Sequence, residues 1–325
     1  MSEPIGFSDA SPRVSVVMAT YNYGQYIAQA IQSVVDQTYA DWELIVADDG
    51  STDDTRKVVA QFRGDNRIKY HFQENQGASA ARNLAIQVSR GSIVAFLDAD
   101  DAWVPTKLER QLALYDSDPQ LGVVYAGRSF MDPSGRVTGN EVRSMARGYV
   151  LHEAVMRTIP PFSSSMVRRE VFDDIGMFDE SIPLAVDYEL WLRVALKYRF
   201  DYIDEPLLLY RTGHSNLSRR SQERRQLVLD RILPEFLARE GVAKQVGNRV
   251  IAEAYADTYI NQALEARSIS FLLALRCHLK AIRTSPWLWP AWRSAARLFV
   301  PDRLIPYLKR ARMCGLSATV HATDK

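Results

Sequence analysis

Cysteine is almost missing from this chain: two residues in 325, Cys277 and Cys314. Two thiols make neither a disulfide framework nor a cysteine-rich metal centre, and they fit a reducing compartment. Long apolar runs are missing as well. No stretch approaches the roughly 18–20 apolar residues that span a bilayer, and the acidic start, Met-Ser-Glu-Pro-Ile-Gly-Phe-Ser-Asp, has no apolar core of a secretory signal. The expectation is a soluble cytoplasmic protein, at most peripheral on the inner membrane face. Nor is there an overall excess of one charge sign, since 40 Lys and Arg stand against 39 Asp and Glu. With 47% hydrophobic and 24% charged residues, the composition is globular and excludes disordered, collagen-like and coiled-coil chains.

What charge there is sits unevenly. Residues 266–325 hold eleven Lys and Arg but only two acids, Asp302 and Asp324, while residues 1–265 carry a net −8. The length suits two domains, or one large domain with an appendage.

The first hundred residues alternate two periods. Residues 14–19, 42–47, 68–72 and 93–97 are short apolar or β-branched runs, and helical patterns lie between them, as with Ile27, Ala30, Ile31, Val34 and Val35. Strand–helix alternation of this kind predicts a mostly parallel central sheet flanked by helices, with right-handed crossovers. Ligands of such sheets bind beyond the carboxyl ends of the strands. The polar clusters fall there: Thr20-Tyr-Asn-Tyr-Gly24, Asp48-Asp-Gly-Ser51 and Asp98-Ala-Asp-Asp101. Ser51 or Thr52 is expected to cap the second helix and Ser79 the third. Residues 102–215 are less regular, with a helix expected over 104–115, strands over 121–125 and 163–167, and a helix over 187–198. From 222 to 309 the pattern is helical.

Three carboxylates within four residues after a buried strand read either as an acidic surface turn or as a seat for a hard divalent cation, which prefers oxygen ligands and commonly shares them with phosphate. A calcium loop is excluded because Trp103 stands where its sharp-turn glycine belongs. Asp48-Asp-Gly-Ser51 alone reads as a strand-to-helix turn. In Asn75-Gln-Gly-Ala-Ser-Ala-Ala-Arg-Asn83, Gly77 permits close backbone approach, and Arg82 near the helix start favours an anion or a polar ring.

Taken together, in this order and spacing, these segments resemble the family 2 inverting glycosyltransferases of GT-A fold, over residues 12–215. The resemblance implies an N-terminal tail (1–12) and a GT-A domain (13–218) with nucleotide-binding (13–101) and acceptor-binding (102–218) halves. A C-terminal α-helical extension (219–325) with a basic tail would follow. It implies transfer of a sugar from a nucleoside-diphosphate donor, a UDP-sugar first, to an acceptor hydroxyl in polysaccharide, glycolipid or other cell-surface glycan synthesis. Thr20 and Tyr21 would line the base and ribose pocket; Asp49 would bond the base, with Arg82 its partner on the third helix. Asp98 would lie near the ribose, Asp100 would bind Mg²⁺ or Mn²⁺ on the diphosphate, and Asp101 would support the loop. Val186-Asp-Tyr-Glu-Leu-Trp-Leu-Arg193 resembles the family's Glu-Asp-x-x-Leu-Trp-x-Arg segment, with Val186 where Glu is common. It makes Asp187 the catalytic base, Glu189 its substitute and Trp191 a candidate platform for the acceptor sugar. His214 falls where relatives place a histidine on the metal or diphosphate, and Ser163–Ser165 would border the acceptor.

Two other classes compete. A sugar-1-phosphate nucleotidyltransferase wants a basic glycine-rich loop after the first strand, and Thr20-Tyr-Asn-Tyr-Gly-Gln25 contains no basic residue. A non-catalytic nucleotide-sugar scaffold would have no need of Asp100 and Asp187. In the tail, Pro286-Trp-Leu-Trp-Pro-Ala-Trp292 precedes Arg293, Arg297, Arg303, Lys309, Arg310 and Arg312. It reads either as a helical subdomain with a solvated or intramolecularly docked basic face, or as a peripheral contact with an anionic membrane carrying a lipid-linked acceptor. No nucleic-acid module accompanies the charge, so no nucleic acid is expected as partner.

Overall fold

A computed structural model describes residues 11–141, 145–157, 159–214, 221–267 and 269–299. Of the residues singled out above, Asp302, Arg303, Lys309, Arg310, Arg312, Cys314 and Asp324 lie outside these. The chain divides into two compact units, Met1–Arg220 and Ser221–Lys325.

The first unit is a nine-stranded sheet with helices, and its strands run β3-β2-β1-β4-β8-β6-β9-β5, with β7 paired to β6. Four strands are parallel as expected: β1 (Val14–Thr20), β2 (Trp42–Asp48), β3 (Ile68–Phe72) and β4 (Ile93–Phe96). β1 and β2 are buried almost throughout, which explains their lack of polar alternation. Helices α1 (Ile27–Val35), α2 (Thr55–Val59) and α3 (Ala78–Val88) make the crossovers, with β5 (Ala102–Trp103) and α4 (Lys107–Ser117) following. The register sets Thr20 opposite Asp48. The first two polar loops therefore emerge side by side.

Beyond β4 the sheet becomes mixed. β6 (Leu121–Met131) and β7 (Val137–Asn140) form an antiparallel pair; α5 (Leu151–Met156), β8 (Met166–Arg168), α6 (Arg169–Ile175) and α7 (Val186–Ala195) follow. β8 runs antiparallel to both β4 and β6, and so splices the two halves of the sheet. β9 (Arg199–Arg211) lies parallel to β6 along nearly its whole length and antiparallel to β5. Periodicity gave no sign of β9, and it ended β6 six residues early. The reason is in the pairing: three register shifts interrupt β6–β9, one beside Pro206, so no clean period of two survives.

Neither serine cap forms as expected. α2 starts only at Thr55, because Ser51 and Thr52 turn back to Asn22: the Ser51 hydroxyl accepts from Asn22 N (2.9 Å) and Asn22 Oδ1 accepts from Thr52 N (2.8 Å). Ser79 is inside α3, whose N-cap is Gly77.

In the second unit, α8 (Ser221–Leu227) passes through a π-helical turn, Val228–Ile232, into α9 (Leu233–Leu237), and α10 (Val242–Val246) follows. α11 (Asn248–Ala266), α12 (Phe271–Thr284) and α13 (Trp289–Leu298) then pack through small residues. Ala256, Ile260, Ala281 and Ala291 form one cluster, and Ala266, Ala274 and Leu298 another. Alanine at these contacts lets the helix axes approach closely.

Candidate active site at the strand ends

The acidic turn 98–101 leaves the end of β4 and is fixed from three sides. Asp98 receives the Arg82 guanidinium at 3.0 Å, and its backbone N–H donates to the Ser163 hydroxyl at 3.1 Å. Arg82 in turn lies 4.5 Å above the Phe162 ring and 5.7 Å from that of Phe178. Asp100 meets the His214 imidazole, Nε2 to Oδ2, at 2.8 Å. Asp101 is fully buried and accepts the backbone N–H of Arg211 at 2.9 Å.

Electrostatically the turn is short of positive charge. Burial, then the Asp98 carboxylate, raises the Asp100 carboxyl above its ordinary range, and His214 opposes the shift. Burial, then Asp100 and Asp98, raises Asp101 further. Carboxylates confined together out of water disfavour shared ionisation, and a nearby cation restores it.

Arg211 escaped sequence reasoning although it lies three residues before His214. It is buried; its Nε donates to the Asp100 carbonyl (2.7 Å), one terminal nitrogen to the carbonyls of Asp132 (3.1 Å) and Pro133 (3.0 Å), and the other to Gln29 Oε1 (2.6 Å). Tyr26 stands between its guanidinium (4.6 Å) and the His214 ring (5.0 Å). Only long-range contacts distinguish this arginine from a surface one, and local sequence carries no trace of them.

At the end of β2 both acids are committed to the loops. Asp48 accepts from Ser51 N (2.8 Å) and the Tyr70 hydroxyl (2.6 Å). Asp49, expected to face the base, has its carboxylate held by Gln73 Nε2 (2.7 Å) and the backbone N–H groups of Gln76 (2.8 Å) and Gly77 (2.8 Å). Arg82 is paired with Asp98, not Asp49, and this corrects the expected partnership. Gly50 has φ +85°, and a Cβ there would stand 2.9 Å from Asn75 N. Gly50→Ala must therefore strain the turn and push the loop that Asp49 grips. The expected loss is about 1–3 kcal/mol, read as a lowered urea midpoint with unchanged slope.

Thr20 and Ser79 are buried, and neither hydroxyl has a hydrogen-bond partner among the described residues. Tyr21, next to Thr20 in sequence, is exposed. An unpaired buried hydroxyl costs free energy, so Thr20 at the end of β1 and Ser79 in the first turn of α3 mark spots that a polar ligand can complete.

Asp187 is half-buried in the first turn of α7. The helix N-cap is Ala185, in left-handed conformation (φ +59°), and no side-chain cap bond forms there, so Asp187 is not the capping residue. α7 is tied to the acidic turn through aromatic contacts. Trp191 meets Phe162 at 6.3 Å between ring centroids, and Phe162 carries Arg82, the partner of Asp98.

Two expectations on this helix are overturned. Trp191 is 1% exposed and also packs edge-on to Phe200, so it belongs to the core and offers no face to an acceptor sugar. Glu189 is 8% exposed and receives both Nε and a terminal nitrogen of Arg193 at 2.7 Å. That arginine also binds the carbonyls of Ile175, Gly176 and Met177. Glu189 is thus a bolt between α7 and the end of α6, with no reach as a base. Of Ser163–Ser165, all buried, Ser163 holds the acidic turn.

Comparison with known proteins agrees with this geometry. The family model for glycosyl transferase family 2 matches residues 15–176. TuaG of Bacillus subtilis, named for teichuronic acid biosynthesis, is 34% identical over 210 residues, covering 64% of this chain and 82% of TuaG. An uncharacterised glycosyltransferase of Nostoc sp. is 31% identical over 217 residues, 63% of this chain. The chain covers 66% of that relative's length. The chain belongs to glycosyl transferase family 2. Its fold is GT-A: S. aureus TarS 1–349 superposes with a TM-score of 0.61 at 20% identity, over 84% of this chain and 81% of that one. The mannosyltransferase PcManGT of Pyrobaculum calidifontis, solved with GDP-Man and Mn²⁺, superposes at 0.60 and 19% identity, over 97% and 89% of the two chains.

Proposed function

We propose that the protein transfers a sugar from a nucleoside-diphosphate donor to an acceptor hydroxyl with inversion at the anomeric carbon. The acceptor would belong to a cell-surface glycan or its lipid-linked precursor. The observation that carries this reading is the convergence of Asp98, Asp100, Arg82 and His214 at the carboxyl end of β4, where an open α/β sheet binds its ligand. TarS has been solved with UDP-GlcNAc and PcManGT with GDP-Man, and TuaG is named for a wall polymer; these support a nucleotide-sugar donor, a UDP-sugar being the first to try.

The loops after β1 and β2, with Thr20, Tyr21 and Asp49, border the base and ribose. Asp187 accepts the proton of the acceptor hydroxyl as its oxygen attacks the anomeric carbon. The bond from that carbon to the phosphate oxygen breaks, and the nucleoside diphosphate leaves with the electron pair. Arg82 supplies fixed positive charge beside Asp98.

Among the described residues no three His, Cys, Asp or Glu side chains form a metal cage. Asp100 and His214 offer two ligands of the kind Mg²⁺ or Mn²⁺ accepts, and among the described residues His214 Nδ1 has no hydrogen-bond partner. A divalent ion that takes its remaining ligands from phosphate oxygens and water fits such a pair. When bound, it stabilises the charge that develops on the departing diphosphate.

Nucleotide sugars at a hundredfold excess over Kd with Mn²⁺ should stabilise the protein by about 2.7 kcal/mol, a rise in Tm of several degrees. Asp100→Ala should lose the Mn²⁺-dependent part of that rise and keep a smaller shift with nucleotide alone. An unchanged Mn²⁺ response in Asp100→Ala would remove the assigned ligand. No response to any nucleotide sugar would remove the reading itself.

A further inference from the structure

Ten of the fourteen large apolar side chains exposed among the described residues lie between Leu264 and Phe299. Residues 266–299 also hold six Lys and Arg and no Asp or Glu. Hydrophobic surface and unbroken positive charge therefore coincide on α12 and α13. Patches of this kind on soluble proteins are rare unless something binds them.

The helical period sorts these residues. On α12, Leu272, Arg276, Leu279 and Arg283 follow at intervals of four, three and four, and all are exposed, while Ala274, Cys277 and Ala281 are buried. On α13, Trp289, Trp292, Arg293 and Arg297 are exposed, while Ala291 and Leu298 are buried. The buried sides join clusters with Ala256, Ile260 and Ala266 of α11, so both exposed faces point away from α11. Trp289 is 69% exposed. Trp287 and Trp292 are half exposed with each indole N–H already bonded, to Glu253 (3.1 Å) and to the Pro286 carbonyl (2.7 Å). Their polar atoms are satisfied, and what remains outward is hydrocarbon ring.

We propose that this α12–α13 face docks on the surface of an anionic lipid bilayer, with the tryptophan and leucine side chains entering the interface and the arginines pairing with headgroups. The proposal does not depend on the reaction assigned to the first unit. Charge complementarity selects the occupant. A second copy would bring positive charge to positive charge. The segment after residue 300 adds Arg303, Lys309, Arg310 and Arg312 against Asp302, so its sequence carries the same sign. A nucleic acid would meet the arginines, but the exposed leucines have no face on which bases stack.

Flotation of the full chain with vesicles tests it. The protein should float with vesicles of equal parts phosphatidylcholine and phosphatidylglycerol and stay behind with phosphatidylcholine alone, with a blue shift in tryptophan emission on binding. Arg276→Glu with Arg293→Glu should weaken partitioning by about fivefold or more for each cation lost. Leu272→Ser with Trp289→Ser, which leaves the charge unchanged, should also weaken it and reduce the blue shift. All four sites are exposed, so far-UV circular dichroism should stay as in the wild type. The proposal is overturned by absent binding, by equal binding to neutral vesicles, or by indifference to the Leu272/Trp289 pair. Release of the protein from vesicles by single-stranded RNA, or a dimer in solution lost in Leu272→Ser, would overturn it in favour of those occupants.

Discussion

Asp187→Asn is expected to lower turnover by about 10²–10⁴-fold, the range that a positioned general base contributes, with the donor-induced thermal shift unchanged. The substitution keeps size and shape and removes only the capacity to take a proton. The helix is held by other residues. Glu189 and Arg193 bolt α7 to residues 175–177, the Tyr188 hydroxyl donates to the Val155 carbonyl at 2.8 Å, and Trp191 sits in the core. Glu189→Gln supplies the contrast. It weakens a buried, doubly bonded ion pair, so its effect should appear as a lowered melting temperature with chemistry per folded molecule preserved. Single-turnover transfer at saturating acceptor separates the two. Full transfer in Asp187→Asn, or a loss confined to Glu189→Gln, would reverse the assignment.

The legibility of this protein in its sequence divides at β4. Three of the four parallel strands, β1, β2 and β4, announce themselves because they are buried on both faces, and such burial writes a nearly uninterrupted apolar run, whereas β3 is only half-buried. The polar loops were legible for the complementary reason: carboxylates at the ends of buried strands stand out against the apolar background. Past β4 the chain builds its sheet from bulged, half-exposed strands, and their signal is weaker than that of the loops between them. β9 is the costliest omission, since it delivers Arg211 and leads to His214. Chain position also misleads where residue type suggests chemistry. Trp191 and Glu189 lie one and half a turn from Asp187, yet burial turns them inward. Lys107, at the start of α4, is fully buried, its ammonium 3.9 Å from the Trp103 ring centroid. Burial alone drives that ammonium well below the ordinary lysine range. Pattern reasoning locates strand ends well; which side chains point out of them is decided by packing partners a hundred residues away.

Arg211→Met should be among the most destabilising single changes in the first unit, costing about 3–5 kcal/mol, since several buried acceptors lose a charged donor at roughly 1–3 kcal/mol each. Methionine fills much of the volume but leaves the Asp100, Asp132 and Pro133 carbonyls and Gln29 without their donor. It also removes a full positive charge from a side chain bonded to the Asp100 carbonyl within the acidic turn, two of whose carboxyls are already raised above their ordinary range. That second effect gives the prediction a distinctive sign. Asp100 and Asp101 should become harder still to ionise, so the variant should lose more stability at neutral pH than at mildly acidic pH, where protonated carboxyls no longer need the cation. The sign follows from linkage: a carboxyl whose folded pKa rises further takes up a proton on folding, and that uptake becomes more costly as pH increases. Urea unfolding of wild type and Arg211→Met across the acidic to neutral range measures the difference directly. A gap between the two that stays constant with pH would mean the arginine acts only through hydrogen bonds and volume, whereas a gap that widens toward neutrality assigns it the further task of keeping the acidic turn charged and ready for its cation.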